Sequence, residues 1–267
     1  MESQLPARAS IDAAALRAAL GARWPRIEVV EQTGSTNTDL IADLHAPDRS
    51  LLVAEDQVAG RGRLERSWVT PSRAGLTFSM LLRPAAPIAS WGWLPLLTGV
   101  ALREAVAEVT GVDAGVKWPN DLLAWPQERK LAGILAQTSG EVVVIGIGLN
   151  VSLTADELPV QTATSLLLCG ATDLDRTRLL AAIAARVDRR VAQWEDVAGD
   201  AEACGLAGAY RAACTTLGRD VVVTTLGGEA LPGRAVEIDS DGRLRVEVGG
   251  ELRTIGAGDV EHVRPGS

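Results

Sequence analysis

The sequence predicts an α+β fold: a larger domain built on a mixed sheet, followed by a small β-barrel. Three observations predict it. Strand-like and helix-like segments are mixed over residues 26–151 without the regular strand–helix alternation of a doubly wound parallel sheet. A long amphipathic pattern, LDRTRLLAAIAARVDRRVAQWE (174–195), then reads as one helix. From residue 219 onward only short apolar runs with turn signals remain, which suits a barrel of about five strands. A boundary near residue 217 divides the chain into 1–217 and 218–267.

Each element has a local reason. Ser10 reads as the N-cap of IDAAALRAAL, with Gly21 as the stop. RIEVVEQ (26–32) reads as a strand, and GSTNTDLIADL (34–44) as a turn entering a helix. LLVAEDQ (51–57) and GLTFSMLLR (75–83) read as strands on either side of a basic loop at 59–68. SWGWLPLLTGVALREAVAEVTG (90–111) reads as a helix closed by Gly111. GVKWPNDLLAW (115–125) gives two short strands around a Pro-Asn turn. KLAGILAQTSGEVVVIGIGLNV (130–151) gives a hairpin turned at Ser139-Gly140. A second helix after 195 is expected to end at Gly218, and Asp241-Gly242 signals a hairpin inside the barrel.

The composition excludes several functions. Apolar residues make up 47% of 267, enough for a core, and charged residues make up 22%. A net charge of −8 argues against a chain whose main task is to grip DNA or RNA, which needs a broad basic face. Three cysteines without a CxxC pair fit buried thiols of a cytoplasmic protein, and no protein metal site is expected. Two distant histidines make a Ser-His-Asp triad improbable. The first twenty residues carry no apolar run of signal-peptide type, and no stretch is long enough to span a membrane.

Against that acidic background GRGRLERSW (60–68) stands out. Charge-rich loops are usually only solvated. Here Gly60 and Gly62 alternate with Arg61 and Arg63, leaving free backbone N–H groups beside two guanidinium forks. That is a wrap for phosphate or carboxylate. Such a loop has little apolar surface to bury, so it is expected to be mobile without its ligand. Lys117 and Lys130 are the chain's only lysines, and a site that needs a compact movable charge has only these two to use. GSTN (34–37) taken alone is no more than an N-cap. GIGLN (146–150) lacks the third glycine of a dinucleotide fingerprint, but its glycines allow close approach to backbone. No GxxxxGK[ST] loop is present.

GSTN, GRGR with a following Trp, KWPND (117–121), KLAGIL (130–135) and GIGLN, in that order, resemble the biotin protein ligases. The resemblance covers about residues 34–151 and extends to the C-terminal barrel. It implies a catalytic α+β domain related to class II aminoacyl-tRNA synthetases and an SH3-like barrel after it. Bifunctional members carry a DNA-binding winged helix, which the one helix and one strand before Gly34 do not supply. The resemblance therefore implies a monofunctional, cytoplasmic enzyme that binds neither DNA nor membrane. One departure is LAWPQER (123–129), a slightly longer turn before Lys130.

The family's reaction joins the biotin carboxylate to the α-phosphate of ATP, then passes biotin from biotinyl-5′-AMP to a lysine of a carrier domain. ATP arrives with Mg²⁺, and the acceptor implied is the biotin carboxyl carrier protein domain of a carboxylase. The first step brings two anions together, so cations must offset their repulsion. By resemblance Arg63, Lys117 and Lys130 are catalytic. Ser35, Thr36, Asn37, Gln57, Arg61 and Gly62, together with Arg63 and Lys130, bind biotin. Arg66, Trp68, Asn120 and Asn150 lie on the nucleotide side. The competing reading is a lipoate or octanoyl protein ligase of the same fold, whose ligand has no ureido ring for Ser35, Gln57 and Arg61 to read. A non-enzymatic biotin- or nucleotide-sensing regulator would use the barrel as its interaction module.

Overall fold

The computed structural model describes residues 8–43, 45–64 and 66–263. The leader reading at residues 1–7, the helix end at Leu44, Glu65 of the basic loop and residues 264–267 lie outside the described residues.

Seven strands form one mixed sheet in the order β1-β2-β3-β7-β6-β5-β4. They are β1 (Arg26–Thr33), β2 (Ser50–Gln57), β3 (Gly75–Leu82), β4 (Ala114–Lys117), β5 (Asp121–Ala124), β6 (Arg129–Ser139) and β7 (Val142–Asn150). Only β1 and β2 run parallel, joined across α2 (Thr36–Ala42); the other pairs are antiparallel. β3, an interior strand between β2 and β7, has every residue buried, as its nearly continuous apolar run requires when both faces are covered. One face packs under α2, where Leu40 meets Leu52, Leu81, Val142 and Val144. The other face carries α1 (Ala13–Leu20), α3 (Leu94–Thr110), α4 (Arg176–Glu195) and α5 (Leu206–Ala213). In α4 the buried Leu179, Leu180, Ile183, Ala184, Val187, Val191 and Trp194 recur at helical spacing and form the predicted apolar stripe.

Several boundaries differ from expectation. Asp12, not Ser10, caps α1: its carboxylate accepts from Ala14 N and Ala15 N, both at 2.9 Å, and an ionised acceptor outbids a hydroxyl two residues away. The 90–111 segment begins as a 3₁₀ turn, Ile88–Trp93, and becomes α-helical at Leu94; Gly111, with φ 72°, closes it as predicted. Ser139 pairs with Val142, so the β6–β7 turn is Gly140-Glu141, one residue later than the sequence suggests. Gly140 takes the left-handed conformation there, φ 58°. The helix expected to reach Gly218 stops at Ala213, and Thr215 N instead donates to Val116 O at 2.8 Å, extending the pairing of β4.

The barrel has five antiparallel strands in the order β11-β10-β9-β8-β12: β8 (Asp220–Thr225), β9 (Ala230–Ile238), β10 (Leu244–Val248), β11 (Glu251–Ile255) and β12 (Gly258–His262). Its core is not separate. Val221, Val223, Ala235, Leu244, Val246 and Val260 belong to the same buried cluster as α3 and the large sheet. Two indoles add hydrogen bonds across the junction: Trp93 Nε1 donates to Ser240 O at 2.7 Å, and Trp118 Nε1 to Gly242 O at 3.1 Å. Gly92 faces Asp241 O so closely that a Cβ would overlap it.

Candidate active site

One cavity collects most of the residues that the sequence singles out. It is walled by the start of α2, the end of β2, the basic loop, the middle of β6 and β7, and the first residues of β12. Ser35, Thr36, Asn37, Gln57, Arg61, Gly62, Arg63, Arg66, Trp68, Asn120 and Lys130 all line it. Two predicted residues do not. Asn150 is buried and donates from Nδ2 to Thr164 O at 2.9 Å, which pins the loop after β7. Lys117 ends β4 on the side of His262 and Arg219, at the junction with the barrel.

The cavity has a polar end. Ser35 occupies the N-cap position of α2 with φ −159°, but its side chain makes no cap hydrogen bond. The cap is supplied from β2 instead: Gln57 Oε1 accepts from Thr36 N at 2.8 Å. The GSTN turn is thus an N-cap by backbone only, and the Ser35 hydroxyl is left for another use. Thr36 and Asn37 continue into a buried network with Ser79 of β3.

The floor is made by glycines of β6 and β7. A Cβ on Gly146 would overlap the Asn37 side chain, and one on Gly148 would overlap the Trp68 indole. The Trp68 ring therefore lies flat on the sheet over Gly148 and Gly133, with Lys130 Nζ 5.8 Å from its centroid. The sequence suggested that these glycines allow close approach to backbone. They do, and the groups that approach in this structure are the chain's own Asn37 and Trp68. Among the described residues the Trp68 indole N–H meets no acceptor.

The mouth is cationic. Four lining cations, Arg61, Arg63, Arg66 and Lys130, face two lining carboxylates, Asp121 and Asp259, in a protein of net charge −8. Lys130 Nζ lies 2.7 Å from Asp121 Oδ1. Arg63 Nη1 donates to Gly258 O at 3.1 Å and reaches Asn120 Oδ1 at 3.4 Å. Arg66 pairs with Asp259, so the barrel supplies the partner that the sequence could not name. Burial pushes the Arg63 guanidinium below its usual value, while Asp259 and Asp121 oppose that fall. The loop is a narrow hairpin: Trp68 N donates to Gly60 O at 2.9 Å and Gly62 N to Arg66 O at 2.6 Å. No side-chain partner holds Arg61 among the described residues.

Two lining residues, Asp121 and Asp259, and two that support the lining from behind, Ser79 and Gln137, were not identified from sequence. Ser79 had one available signal: Thr77 and Ser79 are polar at alternate positions in an otherwise apolar strand, and a buried polar stripe needs partners. Asp121 lay inside the KWPND motif without a role of its own. Gln137 had no local signal, because its contact is with Asn37 a hundred residues away, and Asp259 had none, because only the folded chain brings β12 to this cavity.

The comparisons with known proteins agree with one another. Residues 27–152 match the model of the biotin/lipoate A/B protein ligase family, and residues 216–263 match that of the biotin protein ligase C-terminal domain. The chain is 41% identical to a biotin--[acetyl-CoA-carboxylase] ligase of Mycobacterium tuberculosis over 91% of each chain. It is 31% identical to a bifunctional ligase/repressor of Bacillus subtilis, over 88% of this chain and 72% of that protein. A solved biotin protein ligase from Aquifex aeolicus, in complex with biotin and ATP, superposes with a TM-score of 0.75 at 27% identity, covering 90% of this chain and 99% of that one.

Proposed function

The chain belongs to the biotin protein ligase family, and we propose on that basis how its residues divide the work of an ATP-dependent biotin ligase. Its substrates are biotin and ATP, and the biotin reading is favoured over a lipoate one. The observation that carries the assignment of residues is a single cavity with an amide-reading end and a cationic mouth. Ser35, Thr36, Gln57 and Arg61 serve the ureido ring with uncharged and charged hydrogen bonds. The apolar side chains and glycines of β6 and β7 wall the ring and the acyl chain. Arg63 and Lys130 stand where carboxylate and α-phosphate must meet, and offset the charge of that encounter. Arg66 and Asn120 lie on the nucleotide side. In this division residues 1–217 are the catalytic unit and 218–267 the SH3-like barrel.

Among the described residues no group of three or more Asp, Glu, His or Cys side chains could cage a metal. Asp121 and Asp259 are nevertheless two carboxylates at the mouth, which suits Mg²⁺ that arrives on the triphosphate and keeps most of its waters. When bound, the ion neutralises phosphate charge.

In the second step a lysine amine of the acceptor attacks the acyl-phosphate. Acyl-adenylates hydrolyse, so the loop at 60–68 excludes water while the acceptor approaches. The acceptor is the carrier domain of a biotin-dependent carboxylase, and the reaction is cytoplasmic. Among the described residues no helix is long and apolar enough to cross a membrane. Exchange of labelled pyrophosphate into ATP that depends on biotin, and not on lipoate, tests the reading. Exchange driven equally by lipoate would overturn it.

A further inference from the structure

We propose that Ser79, which does not line the cavity, fixes the hydrogen-bond polarity of its amide-reading end, so that the site selects a ligand ring bearing N–H. The proposal rests on the biotin reading above. Ser79 is fully buried on β3, behind Thr36 and Asn37.

The relay begins at a backbone carbonyl. Leu135 O can only accept, so the nitrogen of the Asn37 amide must face it; the distance is 3.2 Å. The same Nδ2 donates to Gln137 Oε1 at 2.9 Å. Asn37 Oδ1 is thereby turned the other way, where it can only accept. Ser79 Oγ stands 2.5 Å from it, and the one proton of that hydroxyl is committed there. Ser79 Oγ is left as an acceptor, and Thr36 Oγ1 at 2.7 Å is its donor. A rival acceptor, Gln57 Oε1, lies farther from Thr36 Oγ1 at 3.0 Å and is already served by Thr36 N at 2.8 Å.

With its proton drawn inward, Thr36 Oγ1 offers the cavity lone pairs alone. It welcomes a ligand N–H and repels a ligand ring oxygen. Gln57, its oxygen held by Thr36 N, keeps Nε2 as a donor. An acceptor beside a donor matches a cyclic urea, which has both N–H and C=O. A dithiolane ring has neither. Ser79 is thus a positioning residue that acts through Thr36, and specificity arises because a wrong ring leaves a buried polar group unpaired.

The test is steady-state pyrophosphate exchange with wild type and Ser79→Ala, a small substitution whose folding is checked by Tm. Ser79→Ala should raise KM for biotin about tenfold, leave kcat within about twofold and leave KM for ATP unchanged. Two cyclic carbamate analogues, each with one ureido N–H replaced by ring oxygen, read polarity directly. Selectivity for biotin over the less tolerated one should fall about fivefold or more, because Thr36 Oγ1, left with only the longer bond to Gln57 Oε1, can turn its proton to that oxygen. Ser79→Thr, which keeps the hydroxyl, should preserve the selectivity. Active wild type with unchanged selectivity in Ser79→Ala overturns this proposal alone, as does an equal loss in kcat and in both KM values. A wild type without biotin-dependent exchange overturns the biotin reading and the proposal together.

Discussion

Lys130 Nζ lies 2.7 Å from Asp121 Oδ1, so the amine at the mouth of the cavity is held by a carboxylate of the neighbouring strand β5. An arriving carboxylate or phosphate has to compete with Asp121 for that amine. Lys130 is therefore already beside a carboxylate before any ligand binds.

Removing a cation from this place should cost transition-state stabilisation. Lys130→Ala and Arg63→Ala are each expected to slow biotin-dependent pyrophosphate exchange at least tenfold, about 1.4 kcal/mol or more. Exchange near the wild-type rate in both variants would refute their assignment to the carboxylate–phosphate junction. Lys117, placed away from this cavity, provides the contrast: Lys117→Ala should affect exchange less than Lys130→Ala does.

Gly148→Ala should act through Trp68. The added methyl overlaps the indole, and Trp68 sits on a loop, so the ring should move before the strand does. We expect KM for biotin to rise about tenfold with little change in Tm, together with a shift in tryptophan fluorescence. A large fall in Tm with unaltered KM would mean that β7 yields instead of the loop.

The pair Arg176–Glu55 should be costly to break. Both side chains are buried, with 6% and 1% exposed, and Glu55 also accepts from Ile11 N while Arg176 donates to Gly75 O and Ala9 O. Arg176→Met leaves an unpaired buried carboxylate and should lower stability by about 3–5 kcal/mol in urea unfolding. A loss below about 1 kcal/mol would place the pair with exposed ones.

His262 gives a pH dependence. Burial, then repulsion from Lys117 and Arg219, pushes its imidazole down to about 4, against a smaller pull from Glu128. The unfolded chain binds this proton first, near the ordinary value of about 6.5. Stability should then be full above that value and fall as pH drops toward 4. His262→Gln should flatten this part of the Tm profile relative to wild type. Identical slopes in the two proteins would rule out this source.

Arg66–Asp259 is an exposed pair and should hold the loop only weakly. Limited trypsin digestion at Arg61, Arg63 and Arg66 should quicken by no more than about fivefold in Asp259→Ala. Biotin with ATP should slow cleavage in both proteins. Cleavage indifferent to ligand would argue against closure of the loop over the intermediate.

Much of the cavity was legible because its parts are contiguous motifs. GSTN, GRGR and KLAGIL each carry their chemistry within a few residues, and the fold brings them together at the ends or middles of neighbouring strands. Ser79 was not legible, since its role depends on which carbonyl Asn37 meets across the sheet. Asp259 was not legible either, because it lies nearly two hundred residues from Arg66 and in a different sheet. Lys117 and Asn150 show the converse. Each shares a sheet face with cavity residues, Lys117 opposite Asp121 and Asn150 two residues after Gly148, but sits at the end of its strand, beyond the cavity. The barrel's strand number could be read from turn signals, but its shared core could not, since nothing in a short apolar run tells which neighbour covers it.

The indole hydrogen bonds from Trp93 and Trp118 to the β9–β10 turn have a consequence for chimeras. A barrel transplanted from a relative would arrive with a turn shaped for other tryptophans, and any side chain at position 92 would strike Asp241 O. Successful exchange would require residues 91–93 and 118 to travel with the barrel. Inheritance in this protein should therefore couple those positions to the turn at 239–243, although well over a hundred residues separate them along the chain.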